Sequence, residues 1–207
     1  MLPRGFKADA ERRALTLRSE MGLQPSDPVT AKSVAAHLRI GFRLADELVS
    51  REALEALDRL QPGCFSACTL PGPSGPVVIT NPLNTSARQQ SDAFHEISHL
   101  LLRHEMRRLE RVADLVFYTC DAEDEEQADN LGATLLLPRP ALAAAYSRGV
   151  GVAGLAQAYG VSEQLARWRL NASGVTLQVR RRQTLKDLGS TATTAGGRAN
   201  GRDSGRR

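Results

Sequence analysis

The sequence predicts a mixed α+β domain, and three observations carry that expectation. Apolar residues recur every three or four positions through most of the chain, the spacing of helices with one buried face. Short alternating or β-branched runs occur between residues 40 and 81. Prolines, glycines and capping residues punctuate the boundaries. At 207 residues and 42% hydrophobic content the chain can bury a real core. We expect one domain over 1–179 and a separate tail over 180–207.

In chain order, Ala10, Ala14, Leu17 and Met21 share one helical face, which predicts a helix over 8–22 that Pro25 and Pro28 end. Thr30 is placed to cap a short second helix bearing Val34, Ala35 and Leu38. Ile40, Phe42 and Leu44 alternate as in a strand. Ser50 caps a third helix with Leu54, Leu57 and Leu60 on one side. Residues 63–70 and 76–81 read as strands joined by Pro71-Gly72-Pro73-Ser74-Gly75. A helix from Thr85 or Ser86 to about Arg103 carries Phe94, Ile97 and Leu101. Asp121 caps the next, whose Ala128, Leu131 and Leu135 face a core before Pro138 stops it. Pro140, Gly149, Gly151 and Gly160 divide shorter helices beyond.

The net charge of +4 is unevenly placed. Residues 180–207 hold eight basic and two acidic side chains, which leaves 19 basic and 21 acidic on 1–179. The tail is rich in Gly, Ser, Thr and Arg with little to bury, and is expected to be disordered. No apolar run reaches the ~18 residues of a membrane span. Three cysteines make no disulfide framework, and Met1 to Lys7 lacks the apolar stretch of a secretory signal. Together these point to a reducing cytoplasm. Cys64 and Cys68 form a CxxxC without a second pair, read here as ordinary buried thiols.

The most informative segment is His95-Glu96-Ile97-Ser98-His99. Histidines at i and i+4 on a helix point the same way, so both can reach one metal ion, and Glu96 beside them is placed to act as a base on a water. A catalytic ion takes three protein ligands, so a third must come from elsewhere. Glu125 and Asp129, four apart, share a face of the helix that Asp121 starts. One can bind the metal while the other hydrogen-bonds the far nitrogen of a ligating histidine. Glu126, about 100° away, is expected to face solvent.

His95-Glu96-x-x-His99-Leu100-Leu101-Leu102, followed by Glu125-x-x-Ala128-Asp129-x-Leu131-x-Ala133-x-Leu135-Leu136-Leu137-Pro138, resembles the ImmA/IrrE family of bacterial metallopeptidases. Val77 to Asn81 is similar to the family's segment ahead of its active helix, and the likeness extends over about residues 8–175. Leu131 replaces a usual aromatic, Gln127 a frequent glutamate, and Gly132 a usual alanine; none removes a ligand or the base. The resemblance implies a zincin-like, minimal gluzincin-type core with a small sheet on the HExxH helix. It implies His95, His99 and Glu125 as zinc ligands and Glu96 as catalytic base, which leaves Asp129 as the carboxylate supporting a histidine. Manganese or another divalent ion suits the same donors. It further implies limited proteolysis of a separate helix-turn-helix repressor. For an oxyanion the chain offers His104, Tyr118 and Tyr146. His104, turned about 140° from His99 on an ideal helix, is expected at an exposed helix end.

Two other readings compete. Leu155 to Leu170 has helix-turn-helix cadence with Arg167 and Arg169 on its second helix, which with the basic tail would suit a DNA-binding regulator. A helical hairpin packed on the core is favoured instead, so direct nucleic-acid binding is not expected. A non-catalytic protein with structural zinc would need a fourth ligand, for which neither Cys120 nor His104 stands out.

Overall fold

The computed structural model describes residues 1–105, 108–112, 115–179 and 181, with backbone alone over 108–112 and 115–119. Apart from Arg181, the basic tail lies outside the described residues, as does the side chain of Tyr118.

Helix α1 (Phe6–Glu20) begins two residues earlier than its periodicity suggests, because Phe6 joins Ala10, Ala14 and Leu17 in the core. Helix α2 (Ala31–His37) starts at a reciprocal box, in which Thr30 Oγ1 accepts from the Ser33 amide and Ser33 Oγ accepts from the Thr30 amide. Strand β1 (Gly41–Leu44) leads through a 3₁₀ turn (Ala45–Glu47) to α3 (Arg51–Leu60), capped by Ser50. Only Leu54 of its three expected apolar residues is buried; Leu60 is 85% exposed.

Strands β2 (Ala67–Gly72) and β3 (Gly75–Thr80) form a tighter hairpin than expected, with Pro73 and Ser74 alone between them. Gly72 is required there, since a Cβ would lie 2.7 Å from Val77 Cγ2 and 2.9 Å from the Gly75 carbonyl oxygen. The sheet order is β1-β3-β2, β1 parallel and β2 antiparallel to the central strand. Just past β3 the buried Asn81 donates to the Phe65 carbonyl and accepts from the Leu83 amide, which turns the chain into α4.

Helix α4 (Ser86–Leu102), capped by Thr85, carries the HExxH segment. An antiparallel hairpin follows, β4 (Arg108–Val112) and β5 (Leu115–Thr119), where no strand was expected. Charged Arg108, Glu110 and Arg111 break the apolar alternation, and no glycine or proline separates the strands. Helix α5 (Ala122–Leu136) has Asp121 at its N-cap position. Helices α6 (Arg139–Ser147), α7 (Val152–Tyr159) and α8 (Glu163–Ser173) complete the body.

Two packing features position α5. At its middle, Gly132 lies so close to α4 that a Cβ would be 3.1 Å from the Phe94 carbonyl carbon and oxygen and 3.2 Å from the His95 nitrogen. The departure from the family's usual alanine thus accompanies a close helix crossing beside a metal-ligand candidate. At its end, two buried arginines satisfy carbonyls that helix geometry leaves open. Arg18 donates to the Leu135 oxygen at 2.9 Å, and to those of Ala14 and Asp27. Burial pushes its guanidinium down to about 10, so it stays charged at neutral pH. Arg169 donates to the Leu137 oxygen at 2.8 and 3.0 Å and pairs with Glu11 at 2.8 Å. Both place positive charge at the negative end of the helix dipole.

α7 and α8 do make a helix-turn-helix shape, hinged at Gly160 with Ser162 as cap. Arg169 is buried in the body, and Leu155, Ala156, Val161 and Ala166 belong to the core, as a packed hairpin requires. Among the described residues no helix is long and apolar enough to cross a membrane.

Candidate metal centre

α4 turns His95, Glu96 and His99 toward α5 and the edge strand β2. His95 Nε2 lies 2.9 Å from His99 Nε2 and 3.0 Å from Glu125 Oε2, and the last edge, His99 Nε2 to Glu125 Oε2, is 3.6 Å. A tetrahedron with metal–ligand bonds of ~2.0–2.1 Å has edges of about 3.3–3.4 Å, so these three atoms fit one face of such an ion's coordination shell. All three residues are partly exposed, as a centre reached by a water or substrate must be.

Asp129 Oδ1 lies 2.8 Å from His95 Nδ1. Of the two carboxylates, Glu125 is the one that meets both histidine Nε2 atoms and could hold an ion with them, while Asp129 meets His95 on the opposite ring nitrogen. Glu126 is half exposed and pairs with the Met1 amino group at 2.9 Å.

The electrostatics differ between the histidines. Burial and the neighbouring His95 and His104 push His99 down to about 4, so it is neutral with a free lone pair at physiological pH. Burial also works to lower His95, but the Asp129 hydrogen bond and charge, with Glu125 and Glu96, outweigh it and raise His95 above its usual value. Burial raises the Glu96 carboxyl, opposed by a 2.6 Å hydrogen bond from Thr69 Oγ1 and by His95. A glutamate held there accepts a proton more readily than an exposed one.

Sequence reasoning missed two features. Thr69 on β2 is nearly buried and grips Glu96; its inward position on a strand facing α4 is a signal, but nothing in one sequence pairs it with residue 96. The expectation for His104 is overturned. Its side chain is 7% exposed, not solvated, with Nδ1 3.0 Å from His99 Nδ1 and Nε2 3.6 Å from Asp124 Oδ1. The helix-wheel argument fails because α4 ends at Leu102 and Arg103 takes a left-handed conformation (φ 58°), folding residue 104 back. His104 thus turns Nδ1 to His99 and Nε2 toward Asp124. Tyr146 packs against the main core from α6. Burial, with the charges of Glu125, Asp124 and Glu96, pushes the Cys120 thiol up to about 11, unlike a metal-bound thiolate.

Helices crossing beside a small sheet, with two histidines and a glutamate converging next to the half-buried Glu96 carboxylate, define a candidate centre for metal-assisted hydrolysis. The IrrE N-terminal-like domain, peptidase family M78, matches residues 57–171, and the chain belongs to that peptidase family. The match spans α4 and α5 with every site residue named above, but not α1, α2 or β1. No curated protein matches the chain.

Proposed function

We propose that the protein is a zinc-dependent endopeptidase of the cytoplasm that cuts a partner helix-turn-helix repressor at a limited number of bonds and so relieves repression. The convergence of His95 Nε2, His99 Nε2 and Glu125 Oε2 within 3.6 Å carries this reading. A bound zinc ion supplies a Lewis acid and lowers the pKa of a water from ~15.7 to ~7.

The chain's own residues do the remainder. Asp129 orients His95 through Nδ1, leaving Nε2 directed at Glu125 and His99. Thr69 holds Glu96 by one carboxylate oxygen, which leaves the other to take a proton from the attacking water. Glu96 then delivers that proton to the nitrogen of the leaving amine, so the base of the first step is the acid of the second. The choice of repressor and the cytoplasmic setting rest on the family likeness and the cysteine pattern, and zinc on the nitrogen-rich donor set.

The test is Glu96→Gln co-expressed with a helix-turn-helix repressor encoded beside it. Cleavage should be abolished while bound metal stays near one ion per chain; cleavage at the wild-type rate would remove Glu96 from the mechanism.

A further inference from the structure

His104 has no part in that mechanism, yet it is less exposed than either histidine of the donor set, at 7% against 13% for His99 and 26% for His95. Its place is built by the backbone. After the left-handed Arg103, the His104 amide donates to the His99 carbonyl at 3.0 Å, and the two rings meet edge to face with centroids 5.0 Å apart.

Nδ1 of one ring lies 3.0 Å from Nδ1 of the other, a hydrogen-bond distance that one proton fills. A neutral imidazole has a single N–H. For His99 to offer its Nε2 lone pair to an ion, its proton must sit on Nδ1. His104 must then accept at Nδ1 and carry its own proton on Nε2, the atom 3.6 Å from Asp124 Oδ1. The reverse arrangement puts hydrogen on His99 Nε2, 2.9 Å from His95 Nε2, where it blocks the ligand position. His104 is not itself a ligand, because it meets His99 at Nδ1 whereas His95 and Glu125 meet it at Nε2.

We infer that His104 and Asp124 form a positioning pair that holds His99 in its metal-competent tautomer, an inference that rests on the metal-site reading above. The two histidine ligands are then backed differently: His95 by a carboxylate 74% exposed, His99 by an imidazole only 7% exposed whose Nε2 faces a carboxylate in the first turn of α5 at 3.6 Å. Because Asp124 and Glu125 are neighbours on α5, the helix that supplies the third ligand also orients the second.

The test uses full-length protein and Co2+ as probe, with affinity from chelator competition, the d–d absorption bands, and the melting temperature without metal. His104→Leu removes the acceptor and should weaken Co2+ binding about 10- to 100-fold, with altered bands. His104→Asn offers an oxygen near the Nδ1 position and should stay within about threefold of wild type. Should the leucine variant fail to fold, Asp124→Ala serves, with an expected loss of about three- to tenfold. Unchanged affinity in His104→Leu or Asp124→Ala, or an equal loss in His104→Asn and His104→Leu, overturns the positioning role while leaving the metal centre intact. Wild-type protein that binds no Co2+ overturns both.

Discussion

Replacing Gly132 by alanine tests whether the crossing of α4 and α5 sets the metal geometry. In a free helix this change gains about 1 kcal/mol. Here the new Cβ would meet backbone atoms of Phe94 and His95 at 3.1–3.2 Å, against an ordinary carbon contact of about 3.5–4.0 Å. Backbone atoms cannot rotate aside, so the helices must part by a few tenths of an ångström. Overpacking of a filled interface costs about 1–3 kcal/mol, which offsets the propensity gain and leaves a net loss of about 1 kcal/mol, or 2–4 °C in melting temperature for a domain of this size. Glu125 lies two turns before Gly132 on the same face, so separation also opens its 3.0 and 3.6 Å approaches to the histidines. A displacement of a few tenths of an ångström approaches the roughly 0.5 Å such sites tolerate, so metal affinity should fall, by up to about tenfold. Thermal unfolding in chelator and metal competition in its absence read the two effects separately. A variant that melts 2–4 °C higher with wild-type affinity shows simple helix propensity and refutes the argument.

Asp129→Asn should alter how metal binding depends on pH. The proton that competes for His95 is held by its raised pKa, so affinity falls as pH drops through that value. Without the Asp129 carboxylate, burial dominates and the midpoint of metal loss moves to lower pH, while affinity at pH 8 drops about tenfold for want of orientation; a midpoint that moves upward contradicts this. In ion-free protein the same raised pKa contributes stability that is fully present below the unfolded value of 6.5 and lost as pH rises through the folded one. Arg18→Ala removes the side-chain donor from the carbonyls of Ala14, Asp27 and Leu135 and should cost about 1–3 kcal/mol in urea unfolding for each carbonyl left unsatisfied. A loss below about 1 kcal/mol would mean that the remaining structure supplies other donors.

Much of the frame was legible because its signals are local. Thr30, Ser50, Thr85 and Ser162 act as caps at the ends of the helices they open, and Pro138 follows directly on the C-cap residue of α5. The donor set was legible because helix geometry relates positions four apart, and because Glu125 and Asp129 repeat that spacing opposite His95 and His99. What escaped depends on the chain leaving a regular element or on contacts between distant ones. His104 was misplaced by extending a helix past the left-handed Arg103, a residue type that gives no warning of that conformation. Thr69 and Glu96 lie 27 residues apart on a strand and a helix, and only their packing makes them partners. The β4–β5 hairpin was legible only in part: Arg108, Glu110 and Arg111 interrupt alternation in β4, whereas Leu115 to Thr119 is a strand-like run.

The two arginines at the end of α5 bear on when that helix end is secured during synthesis. Arg18 comes from α1 and Arg169 from α8, and Glu11 ties the latter back to α1. The helix that presents Glu125 is therefore finished by segments from both ends of the body. A ribosome-bound chain that has released α4 and α5 but not α8 holds all three donors and Arg18, but not yet Arg169. Completion of the C-terminal end of α5 thus waits on the emergence of α8.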